Sequence, residues 1–135
     1  MRKLIIAVFL FASSMMTNSN ADGHAIKMGI ILGFTGPIES LTPAMADSAE
    51  LAFKEASDSG SLLGGKYISV TRADSTCVDS AAAVTAAEGL VSGGAVAIMG
   101  ADCSGVTGAI AEKVAVPNGV VMISPSATSP GLTDI

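Results

Sequence analysis

Between Ile26 and Ser124 the chain alternates short, densely apolar runs with longer segments whose apolar residues recur every three or four positions. No other feature constrains the fold as much. "IKMGIILG" (26–33) is almost continuously apolar over a strand's length, as expected of a strand buried on both faces of a parallel sheet. Thr42 and Pro43 supply an N-cap and a first-turn proline, and Met45, Ala49, Ala52, Phe53 and Ala56 then repeat at helical spacing, predicting a helix over about 43–58. After the Gly64–Gly65 turn, Ile68 and Val70 alternate with Ser69 and Thr71, which predicts a second strand over about 66–73 with one wetter face, near the sheet edge.

The pattern then repeats. Asp79 or Ser80 opens a helix carrying Ala83, Val84, Ala87, Leu90 and Val91 on one stripe, and Gly93 and Gly94 end it. "AVAIMG" (95–100) is a third strand. Ser104 is the expected N-cap of a third helix with Val106, Ile110 and Val114 on one face, and "GVVMIS" (119–124) is a fourth strand. Strands joined by helical crossovers of about thirty residues predict an α/β fold built on a doubly wound, mostly parallel sheet. Ligand sites of such sheets lie beyond the carboxyl ends of the strands, so three segments should meet there: "GFTGPIES", "GADCSGVTG" and "SPSATSP".

Enzyme signatures fail in those segments. "GFTGP" has neither the spacing nor the helix opening of a dinucleotide loop, and no phosphate-binding GxxxxGK[ST] or GxSxG nucleophile elbow occurs. Ser104 lacks a base to activate it, because the single histidine, His24, lies at the periphery. An exported hydrolase or transferase with Ser104 as nucleophile is therefore the weaker reading, and no catalytic residue is assigned. Asp74, Asp79 and Asp102 lie near the cysteines, but without a histidine or a fixed ligand spacing they read as solvated loop carboxylates, and no metal or other cofactor is expected. What remains is a set of small hydroxyl residues. Ser104 at a helix start and Thr128 beside Ser126 and Ala127 permit a site for a small anion or zwitterion, and equally permit an N-cap and a proline-framed turn.

The first 21 residues carry a different message. Arg2 and Lys3, an apolar run from Leu4 to Ala12, and Ser19 and Ala21 in a small-x-small pattern predict a secretory signal peptide over 1–21 with a mature start at Asp22. The apolar run is about half of the roughly 20 residues that a bilayer span requires, so no stable membrane insertion is expected after cleavage. Removing Arg2 and Lys3 takes the net charge from −5 to −7. With so acidic a balance, four Phe, one Tyr and no Trp, the chain has no footprint for nucleic acid. In an exported protein the two cysteines, Cys77 and Cys103, are read first as a disulfide, ahead of a metal site or a reactive thiol. Closing that loop stabilises a fold by roughly 3.5 kcal/mol in the chain-entropy picture.

Taken in order, "GFTGP" after the first strand, paired Cys77 and Cys103, "CSGVTGAIA" opening the third helix and "ISPSATSPGLT" resemble the periplasmic branched-chain amino acid (Leu/Ile/Val)-binding proteins of ABC transporters, of the type I binding-protein fold. The resemblance runs from about Ile26 to Ile135. It implies a non-enzymatic, periplasmic solute-binding protein whose two α/β lobes close on an amino acid and deliver it to a membrane permease. It also implies a Cys77–Cys103 disulfide beside the ligand loop, Ser104 and Thr128 holding the ligand's α-carboxylate, and the Ala127 backbone receiving its α-ammonium group. Leu41 stands near a side-chain-pocket position that is aromatic in well-known members, which widens the implied ligands to other amino acids or amides. Members are much longer, so the implied organisation is a signal peptide (1–21) followed by the N-terminal part of the first lobe (22–135). A sensor ectodomain with the same fold is the alternative use.

Overall fold

A computed structural model describes residues 25–135. The signal peptide expected over 1–21, the expected mature start at Asp22 and His24 lie outside the described residues. Four strands form one parallel sheet: β1 (Ala25–Leu32), β2 (Tyr67–Asp74), β3 (Ala97–Gly100) and β4 (Val121–Ile123), in the order β2-β1-β3-β4. β1 pairs with β2 from Ala25↔Tyr67 to Leu32↔Asp74 and with β3 from Met28↔Ala97 to Ile31↔Gly100. The strand with the most continuous apolar run is thus central, and the alternating β2 lies at an edge, as its wetter face requires.

Helix α1 (Thr42–Asp58) covers one face of the sheet, and α2 (Ser80–Ser92) and α3 (Ser104–Ile110) cover the other. Consecutive residues of β1 feed both sides. Ile30 and Leu32 join Ala46, Met45, Ala49 and Phe53 under α1, whereas Ile31 joins Ala83, Ala87, Leu90, Val106, Ile110 and Val114 on the opposite face. Ala52, expected on the α1 stripe, is exposed, and Ala46 takes the buried place. The α1 face is the thinner one. One helix spans it, and Val121 and Ile123 on β4 stay 61% and 69% exposed there.

Two capping assignments change. Thr42 is the first helical residue of α1 rather than its N-cap; its buried hydroxyl donates to the Gly33 carbonyl at 3.0 Å, so it ties the helix start to the end of β1. Ser104 likewise does not cap α3. Cys103 occupies that position without a side-chain bond, and the Ser104 hydroxyl serves the facing loop instead. Asp79 does cap α2, accepting from the amides of Ala81 and Ala82 at 2.9 and 3.0 Å. Beyond Ile110, α3 widens into a π-helical turn (Ala111–Ala115) before a last helical turn (Val116–Asn118). Pro117 accounts for this, since it has no amide to donate and its ring crowds the carbonyl four residues back. Among the described residues, no helix is long and apolar enough to cross a membrane.

Candidate ligand-binding site

The winding of the sheet reverses between β1 and β3. The connection after β1 runs to the α1 face and the connection after β3 runs to the opposite face, which opens a crevice between their carboxyl ends, where α/β sheets bind ligands. Gly33 leaves β1 on one side of this point, and Ala101 to Ser104 leave β3 on the other. The loop after β4 lies across Ala101 to Ser104.

That loop, "SPSATSP", is built on its own hydroxyls. Ser124 Oγ donates to the Ala101 carbonyl and accepts the amides of Ser126 (3.3 Å) and Ala127 (2.8 Å), a serine turn that explains why a small hydroxyl follows the strand. Ser126 Oγ donates to the Asp102 carbonyl at 2.8 Å, and Ser129 Oγ accepts the Gly131 amide at 3.3 Å, opening a short 3₁₀ turn over Pro130–Leu132. Ser104 Oγ accepts the amides of both Thr128 and Ser129 at 3.1 Å. Of the residues singled out from the sequence, Ser104 and Thr128 are joined by a direct hydroxyl-to-amide latch, and Ala127 adjoins it with its amide on Ser124.

The latch leaves specific groups unspent. A serine hydroxyl has one hydrogen and two acceptor lone pairs, and Ser104 uses both lone pairs here, so its hydrogen remains to donate. The exposed Thr128 hydroxyl has no partner among the described residues. Two adjacent hydroxyl donors suit an anionic oxygen ligand such as a carboxylate. The Thr128 amide, by contrast, already donates to Ser104. An open groove of about 460 Å³ runs from Ser104 along α3 past Gly105, Gly108 and Glu112 to Leu132, but it does not take in Ala127 or Thr128. Leu41, 61% exposed, lies at the start of α1.

Cys77 and Cys103 are joined in a disulfide with their Cα atoms 5.2 Å apart, tying the loop after β2 to the start of α3. Of the three aspartates, only Asp79 is the solvated carboxylate its loop position predicted; Asp74 is half-buried and Asp102 buried. Asp79 is a helix cap. Asp74 accepts the Thr35 hydroxyl at 2.6 Å and the Thr76 amide at 2.8 Å, binding the "GFTGP" loop to the end of β2. Burial works to raise the Asp74 pKa, but bonds from the Thr35 hydroxyl and the amides of Thr76, Thr35 and Phe34 outweigh it and hold the carboxyl below its usual range. Asp102 is buried at the crevice, and nothing in the composition distinguished it; only its place between an apolar strand and Cys103 was a clue. Among the described residues no group of His, Cys, Asp and Glu is arranged to hold a metal ion.

Comparison with known proteins agrees with the fold. A family model described as periplasmic binding protein matches residues 25–134. The Leu/Ile/Val-binding protein BraC3 of Rhizobium johnstonii is 29% identical over 131 residues, 97% of this chain and 34% of that protein. The leucine-specific-binding protein of Salmonella typhimurium is 30% identical over 120 residues, 89% of this chain and 32% of that protein. Among solved structures, the branched-chain amino acid transporter substrate-binding protein LivJ of Streptococcus pneumoniae, in complex with isoleucine, superposes with a TM-score of 0.73 at 33% identity, covering 82% of this chain and 31% of that one. The chain spans about a third of the length of the curated relatives it matches.

Proposed function

The chain belongs to the periplasmic binding protein family, and from that premise we propose that it forms one side of an exported receptor that captures a branched-chain or related amino acid in the periplasm and presents it to an ABC import permease. The reading is non-enzymatic, in keeping with relatives that are solute-binding proteins. The observation that carries it is the latch at the β1/β3 crevice. Ser104 at the start of α3 and Thr128 on the loop after β4 lie within one hydrogen bond of each other with both hydroxyl hydrogens unspent.

In this reading the ligand's carboxylate lies between those hydroxyls, and the Thr128 amide is shared between Ser104 Oγ and the ligand. The Ala127 amide is committed to Ser124, which leaves its carbonyl to receive the ammonium group. A charge-assisted hydrogen bond contributes roughly 1.5–3 kcal/mol in a desolvated cleft, so two or three orient a small zwitterion. Thr128 is exposed, however, and small-molecule sites bury about 70–90% of the ligand. Residues 25–135 alone should therefore bind amino acids weakly, and tight binding should require a second wall.

Thermal-shift screening of the protein against the natural amino acids, followed by calorimetry, tests the proposal, because a ligand that binds only the native state raises the midpoint. Leucine, isoleucine or valine should give the largest shift, and Ser104→Ala and Thr128→Ala should each weaken that ligand about tenfold, the equivalent of roughly one charge-assisted bond. Unchanged affinity in both variants would remove these residues from the site. Micromolar affinity for leucine in residues 25–135 alone would refute the need for a second wall.

A further inference from the structure

One buried aspartate gathers the ends of the strands, its carboxylate bonding the residues beyond β1 and β2 and its backbone carbonyl the loop beyond β4. Asp102 is 3% exposed. Its Oδ2 accepts the Gly33 amide at 2.7 Å, and its Oδ1 accepts the Cys103 amide at 2.9 Å and the Ser75 hydroxyl at 3.3 Å. Its backbone carbonyl accepts Ser126 Oγ at 2.8 Å. Gly33 and Ser75 are the first residues beyond β1 and β2, Cys103 is the N-cap of α3, and Ser126 belongs to the loop beyond β4.

We propose that Asp102 is the positioning residue of the Ser104–Thr128 latch: it sets how the start of α3 and the β4 loop stand relative to β1 and β2, and so fixes the spacing of the ligand-facing hydroxyls without touching the ligand. The chemistry of the side chain supports the role. An ionised carboxylate is acceptor-only, so three converging donors are satisfied with no hydrogen left facing another hydrogen. A carboxamide of the same shape turns one N–H₂ toward a donor, and an aliphatic side chain leaves the Gly33 and Cys103 amides buried without an acceptor. Space is tight as well. A Cβ built on Gly33 falls 3.2 Å from Cys77 Cβ and 3.4 Å from Asp102 Oδ2, so the β1 end passes close to both and a side chain at 33 would require these neighbours to give.

The effect on ligand binding rests on the proposed function; the effect on the latch does not. If Asp102 only stabilised the fold, replacing it would lower the unfolding midpoint and leave the exposed latch amides alone, because those exchange through local opening rather than global unfolding. The test is amide hydrogen exchange at Thr128 and Ser129, which bond to Ser104 and not to Asp102. In ligand-free protein under stable conditions, Asp102→Asn should speed both amides at least threefold, toward the rates of Ser104→Ala, which removes their acceptor. Ser75→Ala, nearly isosteric and distant in sequence, should speed them in the same direction and have no added effect in the Asp102→Asn background. Wild-type exchange at both amides in a folded Asp102→Asn protein overturns the proposal. Should that variant not fold, Ser75→Ala decides alone, with unchanged rates counting against it. Affinity for whichever of leucine, isoleucine and valine gives the largest thermal shift should fall about tenfold in Asp102→Asn, whereas a wild-type protein that binds none of the natural amino acids sinks the functional reading and leaves the exchange result standing.

Discussion

Replacing Cys77 and Cys103 together by serine probes how much of the fold depends on one covalent tie. The cross-link closes a loop with a sequence separation of 26 that contains α2 and β3. Loop-closure entropy for that length is about −12 cal/mol/K, or about 3.5 kcal/mol at 25 °C. Strain offsets part of it. Thr76 and Cys77 both have left-handed backbone angles, φ 56° and 69°, each costing roughly 1–2 kcal/mol for a residue with a side chain. Thr76 stays where it is once the tie is cut, because its amide is held by Asp74 at 2.8 Å and its hydroxyl accepts the Asp79 amide at 3.0 Å. Only Cys77 is free to relax, which leaves a net loss of roughly 1.5–3.5 kcal/mol, the lower end for full relaxation. For about 110 ordered residues that lowers the midpoint by about 6–15 °C. Urea unfolding followed by circular dichroism measures it, and reduced wild-type protein should match the double variant. A loss under about 1 kcal/mol refutes the loop-entropy reasoning, because the strain at Cys77 is too small to hide the rest.

Ile31→Ala removes a fully buried side chain from the larger core and should cost about 2–5 kcal/mol in the same urea experiment. Gly36→Ala places a Cβ 2.5 Å from the Thr76 carbonyl oxygen at a φ of 97°, so it should cost more than the roughly 1–2 kcal/mol of a left-handed residue, and a neutral outcome would show that the "GFTGP" turn moves freely. Asp74 titrates below its usual range in the folded chain, so its stabilising contribution is present above the unfolded carboxyl pKa and is lost as pH falls through the lower folded value. Asp74→Asn should therefore be less stable than wild type at neutral pH, with the gap narrowing below about pH 4; a gap independent of pH would show that charge plays no part.

Much of the architecture was legible because it rests on periodicity. A run as apolar as "IKMGIILG" has no stable place except between two layers, so β1 had to be central, and alternation in "YISVTRAD" marked β2 as an edge. Helix stripes such as Val106, Ile110 and Val114 proved to be the buried faces, because helical spacing leaves an apolar side chain no other way out of water. Hydroxyl partners were not legible. Thr42 and Ser104 both stand where a local cap is expected, and both send their hydroxyls to a different segment, Gly33 in one case and the 124–129 loop in the other. A cap is a contact between residues near in sequence and can be read from spacing, whereas these bonds depend on which loops the sheet order brings together.

The sequence by itself determined the layers, the parallel winding, the candidate site's place at the strand ends and the two cysteines as a pair, since each follows from local pattern or from the chemistry expected of an exported chain. Tertiary structure alone decided that Asp102 is buried rather than solvated, and that the Ser104 hydroxyl faces Thr128 and Ser129. The reason is physical. A carboxylate leaves water only where several donors converge, and Gly33, Ser75 and Cys103 converge on Asp102 only after β2, β1 and β3 have taken their places side by side.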